Sequence, residues 1–322
     1  MQLKLLHAQL AQSVALLLRV LHLYKTLLTI EPINFTSIQR HRWLLDLLPG
    51  DFNPIPQTQR KRLNSMGNNW FLIPKPNPNA RLRLFCFPYA GGNAGTYLAW
   101  AEKLHYQVEL VALQLPGRAT RIAEPAISDM HQMIEALLNQ STCFTQLPYV
   151  LFGHSLGSKV AYEFAANMCR QRNRPPSHVI VSGSGAPHLP VEHLPLYNLP
   201  EAEFIAKLEK LQGTPVEVLQ NKELMAMLTP LIRADFKIAD TYIPDASPIE
   251  CPFTILGGTQ DHDVTTEMLA AWNQLTSAPG KIHMIEGNHF FVEQNRAAVL
   301  YVVNQVLENV LSASTAKMRQ TG

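Results

Sequence analysis

The stretch Val150-Leu151-Phe152-Gly153-His154-Ser155-Leu156-Gly157 decides the fold of this chain. An apolar run, Tyr149 to Phe152, precedes the pattern G-x-S-x-G, and a run compatible with a helix, Ser158 to Met168, follows it. A serine between a strand and a helix is typical of a nucleophile elbow, a sharp turn that holds the hydroxyl above a parallel sheet. The two glycines allow the close backbone approach that such a turn requires. The pattern therefore predicts that Ser155 is a catalytic nucleophile, which needs a histidine, an acid and an oxyanion hole elsewhere in the chain.

The composition narrows the class of protein. The chain has 322 residues, of which 47% are hydrophobic, and its net charge is only +2. This balance gives no sign of a nucleic-acid partner, and we interpret the short basic run Arg60-Lys61-Arg62 as part of a solvated linker. No C-x-x-C pair is present, which argues against a disulfide framework or a zinc site and favours a reducing cytoplasm. The cysteines are Cys86, Cys143, Cys169 and Cys251.

The first 79 residues predict an extension that precedes the catalytic domain. Residues 1–30 are rich in leucine and predict a helix, whereas residues 31–79 are polar, rich in Pro and Asn, and predict a linker. The longest stretch without Lys, Arg, Asp or Glu, Leu5 to Leu18, is too short and too polar for a transmembrane span. No clear signal-peptide cleavage site appears before Lys25. We expect a helix that packs against another surface, with a role at a membrane surface as the less favoured alternative.

From Ala80 onward, strand-like and helix-like runs alternate. Such alternation predicts an α/β fold, a mainly parallel sheet with helices on both faces, which we place at residues 80–312. Residues 313–322 are predicted to be a disordered tail. The predicted strands are Leu82–Phe87, Val108–Leu113, Tyr149–Phe152, His178–Val181, Phe253–Leu256 and Lys281–Ile285. The predicted helices are Gly95–Leu104, Ser128–Leu138, Ser158–Met168 and Gln294–Leu311.

Residues 200–242 interrupt this alternation with helical pattern alone. Glu201–Leu211 and Lys222–Ile238 are amphipathic, and Gly213-Thr214-Pro215 separates them. A helical insertion between two strands of a hydrolase sheet predicts a lid over the active site. Its apolar side chains either line an acyl-binding surface or pack the lid onto the sheet. The candidate acyl-binding residues are Leu224, Met225 and Leu228.

A serine hydroxyl needs a base within hydrogen-bond reach and an acid that orients the base. In hydrolases with this elbow the order along the chain is serine, acid, histidine, which limits the search to residues after Ser155. His289 is the best base, because its loop, Gly287-Asn288-His289-Phe290-Phe291, follows the last predicted strand. Asp261 is the best acid, because it follows the carboxyl end of another strand, the edge where the active sites of parallel sheets lie. Asp263 is the alternative acid.

The sequence also bears on two further features of the site, a metal ion and the oxyanion hole. The Asp-His-Asp cluster at 261–263 lacks a second ligand cluster, so we expect no metal. The oxyanion hole needs two backbone N–H groups, one from the residue after the nucleophile, Leu156, and one from the loop after the first strand of the domain. That loop runs from Phe87 to Gly92, and we assign the second donor to Ala90. Tyr89 is the alternative donor and a candidate substrate contact.

The motifs, taken in order, resemble those of the type II thioesterases that accompany non-ribosomal peptide and polyketide synthases. The resemblance covers about Arg81 to Leu311, whereas residues 1–79 have no counterpart in the family pattern. G-x-S-x-G alone recurs across hydrolases, whereas the ordered set is specific. The segments that carry it are Leu84–Gly92, Gln114-Leu115-Pro116-Gly117-Arg118, Gly153–Gly157, Ala186-Pro187-His188-Leu189, Gly213-Thr214-Pro215 and Gly287–Phe291.

This resemblance implies the substrate and the partner. Such enzymes remove misprimed or stalled acyl groups from the phosphopantetheine thiol of carrier domains, and the family's nucleophile, acid and base fall on Ser155, Asp261 and His289. It implies no cofactor, and we expect a monomer. The alternatives are a thioesterase that releases medium-chain fatty acyl groups from a carrier or from coenzyme A and, more remotely, a hydrolase-fold binding protein without activity.

Overall fold

The computed structural model describes residues 69–171, 174–190 and 194–320, with side chains described as far as residue 314. The predicted leucine-rich helix at 1–30 and the predicted linker up to residue 68 lie outside this range. Within it, seven strands form one sheet in the order β1-β3-β2-β4-β5-β6-β7. The strands are β1 (Phe71–Leu72), β2 (Leu82–Phe87), β3 (Val108–Leu113), β4 (Tyr149–His154), β5 (His178–Ser182), β6 (Phe253–Gly258) and β7 (Lys281–Ile285).

All neighbouring strands from β3 to β7 pair in parallel, and β1 alone among the described strands is antiparallel. The central strands are mostly apolar because both faces of a parallel sheet are covered. Strand β2 illustrates this, since its side chains alternate between two apolar clusters, one on each face of the sheet. Phe85 and Phe87 join one cluster, whereas Leu84 and Cys86 join the other. The predicted α/β fold with a mainly parallel sheet is confirmed.

Helices cover both faces of the sheet. The helix that follows Ser155 contributes Phe164 to the apolar cluster on one face. The C-terminal helix contributes Val299 and Val303 to the cluster on the other face. The helices are α1 (Met130–Leu138), α2 (Ser141–Thr145), α3 (Leu156–Arg170), α4 (Glu201–Leu211), α5 (Val216–Leu219), α6 (Lys222–Thr241), α7 (Thr266–Ala270), α8 (Phe291–Gln294) and α9 (Arg296–Gln320). Short 3-10 helices cover Ala94–Trp100, Ala119–Arg121, Leu196–Asn198 and Ala271–Leu275.

Two boundaries at the C-terminus and in the insertion are informative. Helix α9 continues to Gln320, although we expected a disordered tail from residue 313, because no Gly or Pro interrupts the chain before Gly322. The helical insertion at 200–242 contains α4, α5 and α6 between β5 and β6, and its role as a lid stays a prediction. These helices form an apolar cluster of their own, which includes Phe204, Leu208 and Met225.

The domain begins earlier than the expected boundary near Ala80. Strand β1 pairs with β3 through Phe71 and Leu113, and the Gln114 N–H donates to the Trp70 carbonyl. The Trp70 ring is buried and lies 4.3 Å from the Arg121 guanidinium. A strand of two residues among prolines and asparagines gives almost no periodic signal, which is why residues 69–79 resembled a linker.

Deleting residues 1–75 is therefore expected to destabilise the protein. The deletion removes Trp70, Phe71 and Ile73, whose burial contributes about 5 kcal/mol in total. Deleting residues 1–68 leaves these side chains in place and serves as the matched control. Urea denaturation of both proteins measures the difference, and equal stability of the two would contradict the assignment of residues 70–73 to the core.

Candidate active site

The backbone of the elbow is strained at the serine. Ser155 has φ +53°, a left-handed backbone conformation that residues other than glycine rarely adopt. A Cβ on Gly153 would lie 2.2 Å from the Gly157 carbonyl oxygen, and a Cβ on Gly157 would lie 2.2 Å from that of Phe87. Both glycines are therefore required by close backbone approach. Strain of this kind concentrates at functional sites.

The structure brings the predicted nucleophile, base and acid together. His289 Nε2 lies 3.0 Å from Ser155 Oγ, and His289 Nδ1 lies 2.7 Å from Asp261 Oδ2. The Asp261 side chain is 1% exposed, and that of His289 is 17% exposed. Because Nδ1 donates to the carboxylate, Nε2 is free to accept the serine proton. This geometry is suited to general-base activation of the Ser155 hydroxyl.

The acid and base loops are bonded to each other at the carboxyl edge of the sheet. The Gln260 N–H donates to the Gly287 carbonyl at 2.9 Å, which ties the loop after β6 to the loop after β7. Asp263, the alternative acid, points elsewhere. Its N–H donates to Asp261 Oδ1, whereas its side chain is 59% exposed and lies 3.9 Å from Lys207. The geometry favours Asp261 as the orienting acid.

The expected oxyanion donors lie in segments that pass close to the serine. The Ser155 N–H donates to the Ser182 carbonyl, which leaves the next N–H, that of Leu156, at the start of α3. Within the described part of the chain, neither the Leu156 nor the Ala90 N–H has a hydrogen-bond partner in the protein. A tetrahedral oxyanion requires two N–H groups that are not already bonded within the protein, so both remain candidates for the oxyanion hole.

His154 is a functional residue that the sequence analysis missed. It is fully buried, and its Nε2 lies 2.9 Å from the His289 carbonyl oxygen, while its Nδ1 lies 2.9 Å from Ser182 Oγ. A carbonyl oxygen only accepts, so Nε2 carries the proton and Nδ1 accepts from the Ser182 hydroxyl. Burial, together with the neighbouring His289, holds the pKa of His154 well below its usual range. A neutral His154 therefore holds the backbone of the base loop. The middle position of G-x-S gives no hint of this role, because the motif places no demand on it.

Replacing His154 with methionine is expected to lower kcat by about 10- to 100-fold, because the base loop loses the donor that fixes it. Glutamine has nearly the same shape as methionine and retains an N–H donor, so His154→Gln is expected to recover most of the activity. The assay is hydrolysis of a small acyl thioester, with KM and thermal unfolding measured beside kcat. Equal loss in the two variants would show that the hydrogen bond to His289 has no part in catalysis.

The candidate substrate contacts lie in different surroundings. The Tyr89 ring lies beside the base loop, with its centroid 5.2 Å from that of Phe290, and its hydroxyl donates to Glu293. Met225 is buried in the apolar cluster of the lid, and Leu228 packs against that cluster. Leu224 lies half-buried on the same helix. Helical periodicity alone does not separate residues that face the site from those that join the lid helices together.

No helix in the described part of the chain has the length and apolar character needed to cross a membrane. The same residues contain no group of three His, Cys, Asp or Glu side chains placed to hold a metal ion. The order of serine, acid and histidine at the carboxyl edge of this parallel sheet defines a serine hydrolase of the α/β-hydrolase fold.

Comparison with known proteins specifies the family. The family model for the thioesterase domain matches residues 82–309, so the chain belongs to the thioesterase family and is a thioester hydrolase. The chain is 38% identical to LgrE of Brevibacillus parabrevis, over 76% of this chain and 94% of the relative. That relative is named a linear gramicidin dehydrogenase, whereas the family of this chain follows from its match to the thioesterase domain.

Two further likenesses bear on the substrate. The chain is 33% identical to the medium-chain S-acyl fatty acid synthase thioesterase of Anas platyrhynchos, over 73% of this chain and 96% of the relative. Among solved structures, it is similar to the type II thioesterase BorB from the borrelidin biosynthetic cluster. That likeness has 30% identity and a TM-score of 0.67, and it covers 74% of this chain and 97% of BorB.

Proposed function

We propose that this protein removes acyl groups from the phosphopantetheine thiol of carrier domains and so clears misprimed or stalled synthases. The contact of 3.0 Å between His289 Nε2 and Ser155 Oγ, within a fold of the thioesterase family, is the observation that carries the chemistry. The likeness to a type II thioesterase from a biosynthetic cluster supports the choice of substrate.

The reaction follows from the geometry in two steps. In the first, His289 takes the proton of Ser155 as the oxygen attacks the thioester carbonyl, and the N–H groups of Leu156 and Ala90 stabilise the oxyanion. Collapse of the intermediate breaks the carbon–sulfur bond, and His289 gives the proton to the leaving thiolate. In the second, His289 activates water, which releases the acid from the acyl-serine. Asp261 holds the imidazole in the tautomer that both steps need.

The tip of the lid lies directly against the base loop. Asn288 Nδ2 donates to Gln212 Oε1 at 2.8 Å, and a Cβ on Gly213 would lie 2.1 Å from the Phe290 ring. The turn between α4 and α5 therefore lies next to His289. Met225, one of the candidate acyl contacts, lies in the apolar cluster of the lid. We propose that the lid turn, docked this closely against the base loop, favours short acyl groups over medium-chain ones.

The experiment is a competition between acyl groups and between carriers. Carrier domains loaded with acetyl, propionyl or decanoyl groups, and the corresponding acyl-coenzyme A compounds, are incubated with the protein and followed by mass spectrometry. We expect the short acyl groups on carrier domains to be hydrolysed fastest, with Ser155→Ala inactive on all substrates. A strong preference for decanoyl-coenzyme A would replace this proposal with the medium-chain alternative, which the duck relative represents.

The remaining attributes belong to the same proposal. We infer that the protein acts as a monomer in the cytoplasm, where free thiols persist. The four cysteines, all within the described residues, form no disulfide with one another, and this agrees with a reducing compartment. Its partners are then phosphopantetheinylated carrier domains.

A further inference from the structure

An ion pair connects the lid to the loop that carries the oxyanion donor. Asp235 lies on lid helix α6 and is fully buried, and Arg118 belongs to the Gln114–Arg118 motif, to which the reaction assigns no role. Arg118 Nη1 donates to Asp235 Oδ2 at 2.7 Å, and Nη2 donates to Oδ1 at 2.8 Å. Such two-point pairing fixes orientation as well as distance.

The same two side chains also bind the backbone of the oxyanion loop. The Gly91 N–H donates to Asp235 Oδ2 at 2.7 Å, and Arg118 Nη1 donates to the Gly92 carbonyl at 3.1 Å. One helical turn before Asp235, Ile232 lies in contact range of Gly91. The residue immediately before Gly91 is Ala90, whose N–H we assign to the oxyanion hole.

We propose that Asp235 and Arg118 are positioning residues for the oxyanion hole, so that the hole is correctly formed only while lid helix α6 is seated on the loop. The proposal rests on the function proposed above. Gly91 has φ +76°, a conformation that glycine adopts readily. Because glycine is flexible, the loop needs an external acceptor for its N–H to hold one orientation of its peptide planes. Asp235 supplies that acceptor from the lid, and Arg118 neutralises the buried carboxylate.

This arrangement makes the lid part of the catalytic machinery as well as a cover. A movement of α6 that separates Asp235 from Gly91 would release the loop that carries Ala90. Oxyanion stabilisation acts on the transition state, so such a release lowers kcat and leaves substrate binding nearly unchanged.

The test replaces the pair with apolar residues of similar size, Arg118→Met with Asp235→Leu, because breaking only one side would leave a buried charge unpaired. The matched control is a second buried pair, Arg83 and Glu109, replaced as Arg83→Met with Glu109→Leu. That pair has a contact of 2.8 Å and lies at the opposite edge of the sheet, near the start of β2 and β3. Both variants are assayed on an acyl-N-acetylcysteamine thioester, which needs no carrier domain.

We expect the Arg118 and Asp235 double variant to lose about 100-fold in kcat, with KM changed by less than about threefold. The control is expected to keep kcat within about twofold of wild type, whatever its thermal stability. Wild-type kcat in a folded double variant, or equal kcat losses in the test and control proteins, would overturn the proposal.

A second measurement tests the proposal if the double variant does not fold, or if the wild-type protein does not hydrolyse the thioester. It uses Asp235→Asn and the affinity for a trifluoromethyl ketone, whose adduct with serine carries an oxyanion. We expect this affinity to fall by about 10-fold in the variant. Unchanged affinity would overturn the role of Asp235. Failure of wild type on loaded carrier domains, with thioester turnover intact, would overturn only the proposed substrate.

Discussion

Replacing Ser155 with alanine is expected to lower kcat for thioester hydrolysis by at least about 100,000-fold, because no other group can form the acyl-enzyme. His289 then has no hydroxyl to activate, since its Nε2 faces Ser155 Oγ. The backbone strain at φ +53° no longer serves catalysis in this variant. The stability of Ser155→Ala is expected to stay near that of wild type. The measurement is single-turnover hydrolysis of an acyl thioester, with urea denaturation as the control for folding.

Ser158 provides a matched substitution three residues later. Its hydroxyl donates to the Gly153 carbonyl at 2.8 Å and accepts from the Ser182 N–H at 2.9 Å, so it supports the elbow from the side of the sheet. Ser158→Ala is expected to reduce stability while retaining most of the activity. If Ser155→Ala hydrolysed thioesters at the wild-type rate, the proposed nucleophile would be wrong.

Replacing Asp261 with asparagine is expected to lower kcat by about 10,000-fold. The amide can donate a hydrogen bond to Nδ1 and so favours the tautomer in which Nε2 carries the proton and cannot accept one from Ser155. Asparagine keeps the volume of the side chain, so the 1% exposed position remains filled. The pH dependence of kcat/KM, measured beside kcat, reports the loss of the orienting carboxylate.

Asp263→Asn is the matched control for Asp261→Asn. Asp263 is two residues away, mostly exposed and paired only loosely with Lys207, so activity is expected to change by less than about twofold. A large loss in Asp263→Asn together with a small loss in Asp261→Asn would reverse the assignment of the acid. Comparable losses in both would indicate that the loop, rather than one carboxylate, determines activity.

The sequence predicted those parts of the fold and site that depend on local pattern. The strands β2 to β6 are recognised from their mostly apolar sequences, because almost all of their side chains are buried, whereas the edge strand β7 is only partly buried. The order of Ser155, Asp261 and His289 follows from the elbow and from the carboxyl ends of two strands. Both kinds of inference use residues that lie near one another in the chain or obey one rule of topology.

The sequence did not predict contacts that only the folded chain creates. Arg118 and Asp235 are separated by 117 positions, and nothing in either motif points to the other. The hydrogen bond from His154 to the His289 carbonyl likewise joins residues 135 positions apart. Met225 has the spacing of a residue that faces a substrate, yet the packing of α4 against α6 places it in the lid core.

The role of Ser155 as the nucleophile is tested most directly by detecting the acyl group on its side chain. The protein is mixed with an acyl-loaded phosphopantetheinyl carrier domain, quenched with acid within its first turnover, and digested for peptide mass spectrometry. The predicted result is an acyl mass increase on the peptide that contains Ser155, together with free carrier thiol, and neither in Ser155→Ala. Loss of the acyl group from the carrier without this adduct, at the same rate in wild type and Ser155→Ala, would contradict the account.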